Sequence, residues 1–163
     1  IAAGSLLCNR LLGGKVSARI VPWGAVGIGL FSIDLWLASP VPVAAQALVG
    51  LGPFLGDPAR WRILVDLFGI AVSGGVFVVP LYALLQAASE RQRRAQTIAA
   101  NNVINAAAMV AASVATMGLL AAGVSVPALF LLTGSLTLAV ALLLWRSLPR
   151  FASAPGLSEK PYR

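Results

Sequence analysis

Five apolar stretches, separated by short polar breaks, set out the plan of this chain. Residues 63–86 form an apolar segment of 24 positions holding one acid, Asp66, one glycine pair, Gly74-Gly75, and one proline, Pro80. A short polar loop with Glu90, Arg91, Arg93 and Arg94 follows, and residues 97–122 resume the apolar pattern with Asn101, Asn102 and Asn105 near their start. Two membrane helices joined by a tight basic hairpin account for this central stretch. A spanning helix needs roughly 20 predominantly apolar residues. Residues 20–38 and 127–145 meet that requirement as well. Residues 1–12 are too short for it and read as the last half of a helix, with an interfacial segment as the alternative. The chain opens on Ile1 inside that run, so it is expected to be the C-terminal part of something longer.

The breaks have their own chemistry. Asn9 to Arg19 holds Gly13, Gly14 and three positive charges, which suits a short reversal. Residues 39–60 contain Pro40, Pro42, Pro53 and Pro58 with Gly50, Gly52 and Gly56, and are expected to be the longest non-helical segment. From Arg146 onward the chain mixes proline, glycine, serine and charge, and residues 147–163 are expected to be a poorly ordered tail.

Composition narrows the class. The chain is 59% hydrophobic and 10% charged, with a mean hydropathy of +0.90. A soluble domain carries about 25% charge, so there is too little here to build a water-facing shell, and lipid must solvate the exterior. The expected fold class is all-α, a polytopic transmembrane helix bundle. Net charge of +7 could suggest nucleic acid, but the basic residues are bunched at segment ends, and no nucleic-acid partner is expected. Arg10, Lys15 and Arg19 mark the first loop, Arg91, Arg93 and Arg94 the third, and Arg146, Arg150, Lys160 and Arg163 the tail. These basic regions fall on one side if every segment spans, and the positive-inside rule makes that side, with the C-terminus, cytoplasmic.

Catalysis finds no foothold. With no histidine and one cysteine, Cys8, there is no imidazole base, no His/Cys zinc site and no internal disulfide. The five acids form no visible constellation, so neither an enzyme activity, a metal nor a cofactor is expected. What remains is polarity inside apolar helices. Asp66 stands four residues from Arg62, a helical pair spacing. It reads either as an interfacial ion pair or as a cavity-facing acid near the outer mouth. Asn101 and Asn105 share a helix face, with Asn102 within about 100° of both. Thr97, Ala108, Ala112 and Thr116 continue that face, while Val103, Val110, Val114 and Met117 oppose it. The asparagines could bridge helices, through Gln86 or the carbonyl that Pro80 frees, or could face a cavity. Gly74 and Gly75 are expected to admit a neighbouring helix, and Pro80 to bend its own.

Two stretches carry a resemblance. Gly74-Gly75-Val-Phe-Val-Val-Pro80-Leu-Tyr82-Ala-Leu-Leu-Gln86, followed by Ile98-Ala-Ala-Asn101-Asn102-Val-Ile-Asn105-Ala, resembles the tenth and eleventh helices of the lysophospholipid transporter family of the major facilitator superfamily. The form most similar is the transporter domain fused to acyltransferase and acyl-carrier-protein synthetase modules. Gly4, then Asn9-Arg10, then Gly13-Gly14-Lys15 is similar to the superfamily's cytoplasmic Gly-x-x-x-Asp-Arg-x-Gly-Arg-Arg loop, with Asn9 where the acid is expected. The resemblance implies the end of helix eight followed by helices nine to twelve. It implies lysophospholipid, chiefly of the phosphatidylethanolamine type, crossing a bacterial inner membrane by alternating access. It also implies three partners: membrane lipid, the N-terminal half of the same transporter, and fused or associated acyltransferase and synthetase modules. Asp66, Tyr82, Gln86, Asn101, Asn102 and Asn105 become the substrate-cavity candidates. A facilitator for a small solute or drug, and a non-transporting anchor for fused enzymes, stand as alternatives.

Overall fold

A computed structural model describes residues 20–39, 50–90 and 92–152. The half-span at 1–12, the loop motif of Gly4, Asn9, Arg10, Gly13, Gly14 and Lys15, the prolines Pro40 and Pro42, Arg91 and the tail beyond 152 lie outside the described residues. The described residues are helical with no strand: α1 (Val21–Ala38), α2 (Leu51–Leu55), α3 (Pro58–Ala88), α4 (Arg94–Ala121) and α5 (Val126–Ala152).

Local chemistry sets the helix ends. Pro22 lies in the first turn of α1, where a missing N–H goes unnoticed. At its other end Ser39 is extended (φ −82°, ψ 118°), as a residue before proline prefers, and its hydroxyl donates to the Leu35 carbonyl at 2.7 Å. The segment expected to be irregular is partly helical. α2 occupies 51–55 and α3 begins at Pro58, because proline is pre-organised for a first helical position. Asp57 supports that start through an ion pair to Arg60 Nε at 3.1 Å. α5 likewise runs to Ala152, through the first residues of the expected tail.

The α4–α5 hairpin closes with a Schellman arrangement. The Val124 N–H donates to the Leu119 carbonyl and the Gly123 N–H to the Leu120 carbonyl, each at 3.0 Å. This demands positive φ, and Gly123 has φ +87°. Ser125 then caps α5, its hydroxyl accepting the Ala128 N–H at 3.4 Å. Gly123→Val is expected to destabilise the hairpin by about 1–2 kcal/mol, read as a lower unfolding midpoint in detergent titration.

α1, α3, α4 and α5 are the four helices among the described residues long and apolar enough to cross a membrane. α1 is the centre of the bundle and packs along both α3 and α5. Its glycines permit this. A Cβ on Gly24 would sit 2.7 Å from the Phe77 backbone nitrogen, and one on Gly29 would sit 3.0 Å from the Gly134 carbonyl. At the end of the bundle where α3 leads into α4, Trp23 of α1 meets Trp145 of α5 edge-on, with ring centroids 4.9 Å apart. Tryptophan suits that interfacial depth.

The close approaches are not where Gly74 predicts them. A Cβ there meets nothing within 4 Å, whereas one on Gly69 would strike the Phe31 ring at 2.7 Å. Pro80 is buried inside a continuous α3. α4 stands apart: it has no buried residue and touches α3 over a short stretch near the loop that joins the two. Val103 is 68% exposed and Met117 69%. A helix this apolar and this uncovered is compatible with lipid or a further protein face, not with water. Hydroxyls within the spans are satisfied locally: Thr133, Ser135 and Thr137 each donate to the carbonyl four residues back at 2.7–2.8 Å. The chain is a membrane-embedded helix bundle.

Candidate functional site

The α3–α4 contact contains the first polar cluster. Pro80 and Tyr82 lie toward the end of α3, and the short hairpin brings the start of α4 back antiparallel to it. Asn101 and Asn105, one turn apart on the same face, both reach the Tyr82 hydroxyl. Asn101 Nδ2 donates to Tyr82 Oη at 3.2 Å, and Asn105 Nδ2 donates to it at 3.4 Å. The tyrosine oxygen accepts both and keeps its own proton to donate elsewhere. The asparagines thus meet Tyr82, rather than Gln86 or a carbonyl near Pro80. Gln86 and Asn102 are exposed and stand outside the cluster.

Arg94 extends this face. It precedes Asn101 by seven residues, two helical turns, so it shares the helix face of the asparagines. Its Nε is buried and has no hydrogen-bond partner. Thr97 lies between them, but its hydroxyl is engaged with the Arg93 carbonyl at 3.2 Å. A guanidinium edge, a phenol and two carboxamides therefore follow one another into the span. Asn105 lies roughly 16 Å along the helix from Arg94, about halfway across a hydrocarbon core of ~30 Å. Arg94 reads from the sequence as loop charge. Its spacing of seven from Asn101 is the signal that joins it to the site.

A second cluster lies at the opposite end of α3. Arg62 does not pair with Asp66 as its i,i+4 spacing suggests. It reaches across to Asp34 on α1, with Nε donating to Oδ2 at 3.1 Å and Nη2 to Oδ1. A bidentate guanidinium–carboxylate fork is the stronger arrangement, and Arg62 can extend outward toward it. Asp66 lies one turn deeper, only 2% exposed. Its Oδ2 has no hydrogen-bond partner. Trp61, whose indole N–H donates to the Leu55 carbonyl at 2.9 Å, marks the interface beside them.

The six cavity candidates thus divide. Tyr82, Asn101 and Asn105 come together near the hairpin, Asp66 belongs to a separate cluster at the other membrane face, and Gln86 and Asn102 join neither. Among the described residues no group of three His, Cys, Asp or Glu is placed to hold a metal. No protein-family model, curated protein or solved structure matches this chain.

Proposed function

We propose that this chain supplies the C-terminal helices of a major facilitator carrier that moves lysophospholipid across a bacterial inner membrane, with its hairpin and C-terminus cytoplasmic. The observation that carries the reading is the Tyr82–Asn101–Asn105 cluster inside apolar helices, continuous with Arg94. A lysophospholipid has one acyl chain and a polar phosphate-bearing head. α4 offers both matching surfaces: Arg94, Asn101 and Asn105 on one face, and Val103, Val110, Val114 and Met117, all exposed, on another. Neutral amides and a phenol can hold a glycerol or phosphate oxygen without burying a further charge. The guanidinium suits the phosphate itself.

The carrier binds its substrate between two halves that rock about a midplane site. The unpartnered faces of α4 are the surface this chain contributes to that centre, opposite the N-terminal half. Inner-membrane lipid surrounds the bundle, and acyltransferase and synthetase modules are the enzymes that would use the delivered lipid.

Arg94→Gln in the full-length carrier is expected to weaken lysophospholipid binding by about tenfold, the cost of one charge-assisted hydrogen bond. The loss should be smaller for a headgroup-free monoacylglycerol. Equal losses for both lipids would remove Arg94 from headgroup recognition. Tyr82→Phe keeps the ring and deletes the acceptor of both asparagines. It is expected to lower lysophospholipid translocation several-fold while leaving helix content unchanged by circular dichroism.

A further inference from the structure

At the membrane face opposite the loop that joins α3 to α4, the chain leaves large apolar side chains bare beside charged ones. α3 has 31 residues, roughly 46 Å at 1.5 Å per residue, against a hydrocarbon core of ~30 Å. Its first turns, with Arg60 and Arg62, therefore stand outside the hydrocarbon. α2 is fastened to that end. The Trp61 indole N–H donates to the Leu55 carbonyl at 2.9 Å, and the Arg60 guanidinium lies over the Phe54 ring at 5.4 Å. Leu51 and Leu55, one turn apart, share a face of α2. Both are exposed, Leu51 at 76%, and Trp61 beside Leu55 is 59% exposed.

Two constraints fix the depth of this corner. The bare patch continues along α3: Val65 and Phe68, four and seven residues after Trp61, are exposed on the same helix face. They lie within the span, where lipid is the solvent. Contact with lipid thus runs up α3 to Trp61 and on to α2, and water would leave three large apolar side chains unsolvated. The corner cannot sink into hydrocarbon either. Asp57 pairs with Arg60 at 3.1 Å and Arg62 with Asp34, and charge is costly toward the bilayer centre. Only the boundary between headgroups and acyl chains satisfies both. Because the Leu55 carbonyl already accepts the Trp61 N–H, the ring enters that boundary with no bare donor.

We propose that α2 and the first turn of α3 form an interfacial foot, with membrane lipid as its partner. Leu51, Leu55 and Trp61 enter the leaflet opposite the α3–α4 loop to a depth of roughly 5–10 Å, while the paired charges stay among the headgroups. The foot binds through apolar area rather than through a chosen headgroup. It is independent of what the chain transports.

Tryptophan fluorescence of the chain in lipid nanodiscs tests it. Trp23→Phe, Trp36→Phe and Trp145→Phe together leave Trp61 as the one indole. Lipids brominated near the glycerol end of the acyl chain are expected to quench it more than lipids brominated near the methyl end, and aqueous acrylamide only weakly. Leu51→Asp with Leu55→Asp should lift the foot, shifting the emission to the red and raising acrylamide quenching several-fold. If the triple variant does not fold, a nitroxide on Leu51→Cys in a Cys8→Ser background decides, with oxygen expected to relax it more than a water-soluble nickel chelate. Four results would overturn the proposal. Strong access by acrylamide or nickel would leave the patch in water. Stronger quenching by the methyl-end bromines would place it in hydrocarbon. Exclusion of lipid and aqueous probes alike would mean that a second copy or another protein covers it. An unchanged spectrum after Leu51→Asp with Leu55→Asp would remove both leucines from the anchoring.

Discussion

Gly134→Leu is expected to separate α5 from α1 and to destabilise the bundle by about 3 kcal/mol, near the upper end for overpacking. A Cβ alone at this position would sit 2.9 Å from the Gly29 carbonyl, 3.0 Å from Ile33 Cγ1 and 3.1 Å from Ser32 Cβ. Backbone cannot yield as a flexible side chain can, and a leucine adds three more carbons to the collision. The loss is large because membrane helices associate chiefly through close packing, with no hydrophobic drive between them. Gly74→Leu is the control. With nothing within 4 Å of its Cβ, it is expected to change stability by less than about 0.5 kcal/mol. Unfolding of the two variants in mixed micelles reads the difference, and a Gly74→Leu loss as large as that of Gly134→Leu would contradict the packing described.

The second large effect is expected in transport rather than stability. Asn101→Leu with Asn105→Leu removes both hydrogen bonds to Tyr82. Interhelical hydrogen bonds in membranes average ~0.6 kcal/mol, so the fold should lose only about 1 kcal/mol. If the amides hold substrate, the loss of two such bonds at ~1 kcal/mol each lowers lysophospholipid translocation roughly tenfold to thirtyfold. The comparison separates two roles that share one geometry. Cross-helix glue predicts matched losses in stability and transport, whereas substrate contact predicts a transport loss well beyond the stability loss. Unchanged translocation in the double variant would remove both asparagines from substrate contact.

The spans were legible because hydropathy reports solvation, and each predicted span from 20 onward corresponds to a helix of the structure. Their ends were less so. Pro58 starts α3 well before the apolar pattern begins, since a helix can rise out of the membrane on polar residues once a proline fixes its first turn. The face shared by Asn101 and Asn105 follows from spacing within one helix, but their common partner Tyr82 depends on how the hairpin folds back. The same limit explains Arg62. Its spacing to Asp66 is a local fact, while Asp34, 28 residues away, offers a bidentate fork that only tertiary packing reveals. Close approach was expected at the Gly74-Gly75 pair; Gly75 is buried but Gly74 has open space beside it, and close approaches are found at Gly24, Gly29, Gly69 and Gly134. Which glycine meets a neighbour is a property of two helices, and one helix's sequence does not contain it.

The proposed transport is tested most directly by translocation of a fluorescent lysophosphatidylethanolamine by the proposed full-length carrier in proteoliposomes, measured beside the Asn101→Leu, Asn105→Leu double variant. Saturable inward movement is expected, reduced at least about tenfold in the double variant. Absence of lysophospholipid movement from a reconstituted carrier that does transport a drug or small polar solute would contradict it.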